Sequence, residues 1–147
     1  DALKIMKLGA RAVQLGTRFV ATHECDAAEH FKQLLIRCRE EDITVLRTSV
    51  GLLGRVIRSP LIERFEKGQF PGFKCTYHCL KSCVAHEVSY CLADHLKDAA
   101  QGEEMGLYFV GSNGHRVREL LSVQELMRRM MHGEPAHVPT KPFTIIS

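Results

Sequence analysis

Leu8-Gly9-Ala10-Arg11-Ala12-Val13-Gln14-Leu15-Gly16-Thr17-Arg18-Phe19-Val20 is the stretch whose reading decides the fold. Ahead of it Ala2, Leu3, Ile5 and Met6 fall at helical spacing, and Gly9 closes that helix. Residues 11–16 read as a strand with almost no polar face, which predicts burial on both sides in a parallel sheet. A polar turn follows at Gly16-Thr17. A parallel strand that ends in this way delivers backbone N–H groups to an anion at its carboxyl end. Gly16 lets the anion approach without a Cβ in the way, and Thr17 adds a hydroxyl donor. Gln14, two residues earlier, shares the strand face of Gly16. A tight strand-to-helix turn with no ligand has the same local sequence, so local physics leaves these two readings level.

A buried parallel strand needs neighbours, and each parallel crossover takes about a dozen residues or more. Only one short helix precedes residue 11, so the neighbours are expected from polypeptide outside this sequence. The opening Asp1-Ala2-Leu3-Lys4 reads as a cut through a helix and carries no secretory signal. No apolar run approaches the roughly 20 residues of a membrane span.

The 147 residues are 45% hydrophobic and 25% charged, enough for one ordinary globular core and unlike a disordered tail. The net charge of +3 is small, and the basic residues are dispersed in pairs such as Arg37 and Arg39 or Arg128 and Arg129. With no Trp and no basic-aromatic surface, nucleic acid is not an expected partner, nor is a membrane. Six cysteines without a signal peptide point to a reducing, cytoplasmic setting with free thiols rather than disulfides.

Further along, Asp26 and Glu29 have capping-box spacing, and Phe31, Leu34, Leu35 and Cys38 form the apolar stripe of a helix over 27–39. Residues 43–48 are β-branched and extended, a strand; Leu61 to Lys67 is a short helix, and Gly68 to Gly72 a loop. A second amphipathic helix is expected from Glu87 to Ala100, with Val88, Cys91, Leu92, Leu96 and Ala99 inward and Gly102 closing it. Residues 106–113 read as a strand entering a Gly-bounded turn. Ser122 and Glu125 form another capping box, which launches a helix through Met131 with Val123, Leu126, Met127 and Met130 inward, ended by Gly133. The tail holds Pro135, Pro139 and Pro142 and is not helical. Nothing repeats internally.

Gly9, Ala10, Val13, Gln14, Gly16, Thr17 and Phe19 match, in one register, the last phosphate-binding strand of the FMN-dependent nitronate monooxygenases, and the chain resembles that family. The likeness continues through Gly51 to Pro60, where Ser59 replaces the usual Asn, through Tyr90 to Asn113, and into Val123-Gln124-Glu125-Leu126. It covers most of this sequence and only the last third or so of a family member.

The resemblance implies an α/β fold: the C-terminal portion of an FMN-binding (β/α)₈ barrel, incomplete as given, followed by a mostly helical region. Residues 1–48 would be the last βα unit with the phosphate strand, 49–106 a cysteine-bearing, mostly helical insert, and 107–147 a flavin-facing turn with the closing helix and tail. It also implies that Gln14, Gly16 and Thr17 grip the FMN 5′-phosphate together with a glycine-rich loop lying upstream, and that Ser112 and Asn113 face the flavin ring. By its own chemistry Asn113-Gly114 makes a turn that needs no ligand. His115 stands where the family has an aromatic residue. The family's base, a His that takes the substrate α-proton, is expected upstream of Asp1, so no catalytic residue is assigned within this sequence.

Cys75, Cys79, Cys83 and Cys91, with His78 and His86 between them, raise a metal as an alternative. Their Cys-x₃-Cys-x₃-Cys-x₇-Cys spacing departs from the Cys-x₂-Cys knuckle that bends a backbone around zinc, and no metal ligand is assigned. Cys25 and Cys38 read as small core residues, and Glu24 as a local cap or ion-pair partner.

The function expected from the resemblance is oxidation of alkyl nitronates, or a related small acid, with FMN and dioxygen. One alternative is an FMN-dependent enoyl-ACP reductase relative drawing electrons from NAD(P)H. Others are a thiol- or metal-binding module and a fragment with no activity of its own.

Overall fold

β1 (Ile43–Arg47) and β2 (Leu53–Ile57) form an antiparallel hairpin in which Val45 faces Arg55, in a computed structural model that describes residues 2–80, 83–84 and 86–133. The hairpin closes because Thr48 donates through both its N–H and its Oγ1 to the Leu52 carbonyl, each at 2.8 Å, while Gly51 takes a φ of +85°. On its other edge β2 receives residues 108–110: the Ile57 N–H donates to the Tyr108 carbonyl and the Val110 N–H to the Arg55 carbonyl, both at 2.9 Å. These bonds flank the bridge between Val56 and Phe109.

The pleat of β2 divides the core, because adjacent strand residues point to opposite faces. Val56 packs with Leu61, Ile62 and Phe65 of α4 (Pro60–Glu66) and with Tyr90 and Leu107. Ile57 packs with Ala21, Leu35, Cys38, Ala99, Tyr108, Val110 and Val117. The second cluster is the one that positions the site. It lies beneath α3 (Glu29–Arg37) and α5 (Leu92–Gln101), and the Phe31 ring meets Tyr108 edge-on at 4.9 Å.

Several expectations hold. The first helix, α1 (Ala2–Lys7), stops before Gly9, whose φ is +102°. The last, α6 (Val123–His132), begins with the Ser122 hydroxyl accepting from the Glu125 N–H at 3.1 Å and ends at left-handed Gly133. The strand at 43–47, the short helix after Ser59 and the left-handed closure at Gly102 also form.

Others need correction. Residues 11–16 make no strand. They are exposed, with Val13 and Leu15 at 36% and 40%, since no neighbouring strand among the described residues pairs with them. The helix expected over 27–39 begins only at Glu29, with Ala28 at its N-cap and no side-chain cap, so Asp26 does not cap it. Its start is set by tertiary structure, because the Ala28 N–H donates to the Ala100 carbonyl at the end of α5.

The helix expected from Glu87 begins at Leu92, after extended Cys91. Docking of Tyr90 accounts for the delay: its ring packs at a tilt against Phe65, centroids 4.5 Å apart, and its hydroxyl accepts from the Ser49 N–H. Inside α5 the buried positions are His95 and Ala99, whereas Leu96 is exposed. Met127 of α6 is exposed as well. The prolines of the tail lie outside the described residues.

Candidate functional site

α2 (Thr17–Val20) is a single helical turn entered from Gly16. Its far end is anchored by Ala21, which is fully buried in the cluster around Tyr108. From there a seam joins residues 17–24 to residues 111–123. The Gly111 N–H donates to Thr17 Oγ1 at 2.9 Å. Arg18 Nη1 donates to the carbonyls of Glu119 at 3.0 Å and Ala21 at 3.2 Å. Thr22 and Leu121 form a parallel bridge, and the His23 N–H donates to the Leu121 carbonyl at 3.0 Å. The Glu24 carboxylate accepts from the Val123 N–H through both oxygens, at 2.9 and 3.0 Å, so it helps to cap α6 across 99 residues.

This seam brings together two of the segments singled out by sequence. Gly16 is exposed, and a Cβ built there meets nothing within 4 Å. Thr17 is half-buried, and its hydroxyl oxygen already accepts from Gly111, which leaves its proton to donate. Within α2 the Phe19 and Val20 N–H groups donate to the Gly16 carbonyl, at 2.9 and 3.4 Å, which leaves those of Thr17 and Arg18 with no intrahelical partner. Free N–H donors, a hydroxyl proton and open space over Gly16 suit an anion. Ser112 and Asn113 are exposed just beyond Gly111, and Asn113 leads into the short 3₁₀ turn Gly114–Arg116. There Gly114 is required for packing, because a Cβ would run into the Val110 side chain. Gln14 stays exposed in the lead-in; with no strand formed, the shared-face argument for it falls away.

Sequence reasoning missed the contact between Thr17 and Gly111 and the role of Arg18. Arg18 follows Thr17 directly, and its Nη1 serves carbonyls. Burial lowers its pKa, the nearby Glu119 opposes that shift, and Arg129 adds to it. Glu119 is also held by its carboxylate: Arg129 Nη1 donates to Oε1 at 2.7 Å. His115 turns one ring nitrogen toward Glu40 at 4.0 Å, while its buried Nδ1 has no hydrogen-bond partner among the described residues.

The cysteines take no part in this corner. Cys75 and Cys83 are half-buried and Cys79 exposed in the irregular run after α4, and Cys91 is buried at the start of α5. Among the described residues no group of three or more His, Cys, Asp or Glu is arranged to hold a metal ion. Burial, reinforced by Asp42, pushes the Cys38 thiol up to about 11, which fits an unreactive core residue. No described helix is long and apolar enough to cross a membrane.

Residues 2–133 match the nitronate monooxygenase family. The chain belongs to that family. Probable nitronate monooxygenases of Staphylococcus aureus strains JH9 and Newman are 35% and 34% identical to it over 65 residues, covering 44% of this chain and 18% of theirs. Among solved structures it resembles FabK from Thermotoga maritima at a TM-score of 0.66 and 24% identity, over 90% of this chain and 40% of that one. A single-substitution variant of that FabK gives 0.65 and 22%, over 90% and 37%. This likeness speaks to the fold alone, a mixed α/β arrangement. The chain spans less than half the length of each of these relatives.

Proposed function

We propose that the chain is the C-terminal part of an FMN-dependent (β/α)₈-barrel oxidoreductase, a nitronate monooxygenase that oxidises alkyl nitronates with dioxygen. The observation that carries this reading is the hydrogen bond from Gly111 to Thr17, which joins the two segments that family resemblance assigns to the flavin. In this reading residues 1–48 carry the last barrel unit, residues 49–106 the cysteine-bearing insert, and residues 107–147 the flavin-facing turn and closing helix. Segment 11–16, apolar and exposed, takes its place as a barrel strand when the neighbouring strands of a complete barrel flank it.

Gly16 and Thr17 hold the phosphate end of FMN, the first by leaving room and the second by donating its hydroxyl proton. Ser112 and Asn113 offer polar groups to the ring, and Gln14 reaches the cofactor from the lead-in. FMN, when bound, accepts the electrons of the substrate and passes them on; the protein's part is to bind and orient it. The base that removes the substrate α-proton comes from polypeptide outside this sequence.

The native gene product should purify yellow and release FMN rather than FAD on denaturation. Gly16→Val is a clean probe, because among the described residues nothing lies within 4 Å of a Cβ at that position. It should abolish measurable FMN binding while leaving the circular dichroism spectrum and melting temperature unchanged. Thr17→Ala should weaken FMN by about tenfold to a hundredfold, the scale of one hydrogen bond to a charged group. A Gly16→Val protein that binds FMN as tightly as the wild type removes this reading.

A further inference from the structure

We infer that Arg18 is a positioning residue for the cofactor corner: a strap that holds Thr17 against Gly111 rather than a cation that pairs with the phosphate. The inference rests on the FMN reading for its functional meaning, and on geometry for the strap itself. An arginine next to an anion corner is ordinarily taken as an anion ligand. Here both hydrogens of one nitrogen are used, toward the Ala21 carbonyl at 3.2 Å and the Glu119 carbonyl at 3.0 Å.

The first of these bonds folds the side chain back over α2. The second crosses to the segment that follows the 111–116 turn, so the guanidinium clamps the two halves of the site at a point one residue from Thr17. Removing it leaves Thr17 and Gly111 with their own bond, and the seam beyond them with the Thr22–Leu121 bridge, its backbone bonds and the Glu24 cap on Val123.

Residue 119 is the hub of the strap. Its backbone carbonyl takes Arg18, while its carboxylate is gripped by Arg129 of α6 at 2.7 Å. Arg129 is fixed in turn, its Nε donating to Glu125 Oε1 at 2.7 Å. Each group touches the next through a charged hydrogen bond, a chain from the surface of α6 to the entry of α2. The site's two segments lie 94 residues apart in sequence, so neither positions the other through local backbone structure.

The test compares Arg18→Met with Arg18→Lys in the native gene product, with two readouts. One is FMN affinity by quenching of flavin fluorescence; the other is hydrogen exchange at the Gly111 amide, which needs no cofactor. Arg18→Met should speed Gly111 exchange and weaken FMN together, each by about tenfold or more, as expected on removing a charged hydrogen bond. Arg18→Lys, which keeps a cation able to reach a carbonyl, should restore part of both.

Unchanged Gly111 exchange in Arg18→Met overturns the strap. Weakened FMN with unchanged exchange, recovered equally by any cation at position 18, assigns Arg18 to the phosphate and overturns it too. If the wild type binds no FMN while Arg18→Met still loosens Gly111, the strap stands and the FMN reading fails.

Discussion

Residues 10–16 and residues 106–111 read alike in sequence, each a short apolar run entering a glycine-bounded turn, yet they behave in opposite ways. Leu107 and Tyr108 are buried at 1%, and β2 supplies hydrogen bonds on both sides of Phe109. Val13 and Leu15 are exposed and lie in no strand. The difference is not propensity. Extended backbone is held where a neighbour takes up its N–H and C=O groups, and β2 does this for one run only, where the strand expected over 106–113 reduces to the single bridge between Val56 and Phe109. The exposed run instead leads into α2, whose contacts begin at Thr17. The site is therefore built from one segment fixed on the edge of β2 and another fixed by side-chain bonds and the Thr22–Leu121 bridge.

The contrast predicts unequal responses to truncation. Tyr108→Ala removes a ring packed against Phe31 and a hydroxyl that donates to the Glu103 carbonyl at 2.6 Å. Loss of such a buried aromatic should lower unfolding free energy by about 3–5 kcal/mol. Leu15→Ala should change it by less than about 0.5 kcal/mol in this chain. Urea denaturation of both variants checks this, and comparable losses at the two positions would mean that residues 11–16 are packed after all.

The same distinction explains how much was legible. α6 was readable at both ends because its signals are local: Ser122 caps the first turn and Gly133 ends the last in a left-handed conformation. β1 and α4 were readable for the same reason, the helix expected from Leu61 to Lys67 forming one residue earlier, over Pro60–Glu66. β2 was not recognised as a strand, since Gly54 and Arg55 interrupt its β-branched pattern. Only the fold supplies Phe109, whose ring covers Gly54 so closely that a Cβ would run into it. The candidate residues Gly16, Thr17, Ser112 and Asn113 came from motif resemblance. The meeting of Thr17 with Gly111 across 94 residues, and the bond from Arg18 to the Glu119 carbonyl beside it, are products of tertiary structure that no local pattern encodes.

Two helix starts sharpen the comparison at smaller scale. Asp26 with Glu29 and Ser122 with Glu125 share the same spacing, but only Ser122 accepts from a helix N–H. Ser122→Ala should cost about 1 kcal/mol, whereas Asp26→Ala should stay within about 0.5 kcal/mol. Thermal melts followed by circular dichroism separate the two, and equal shifts would show that Asp26 caps α3 in solution.

The smallest expected effect is a pH dependence at that same Ser122 start. The capping box there is only half made. Ser122 receives the Glu125 N–H, but the Glu125 carboxylate reaches forward to Arg128 and Arg129 while Glu24 takes the Val123 N–H. Hydrogen bonds from Arg128, then Arg129, hold Glu125 down at about 2, against an ordinary value of 4.5. A depressed carboxyl pKa means that its stabilising contribution is complete above 4.5 and is lost as pH falls toward 2. The pair lies at the surface, so the loss should be modest and should shrink with added salt. Other carboxylates titrate over the same range, so the comparison is with Glu125→Gln. The wild-type melting temperature should exceed that of the variant by a constant margin from pH 7 to about 5, and the margin should close as pH drops below 4.5. A margin that persists unchanged to pH 2 would mean that Glu125 acts through packing alone, and that the charged chain from α6 to the entry of α2 does not begin at this residue.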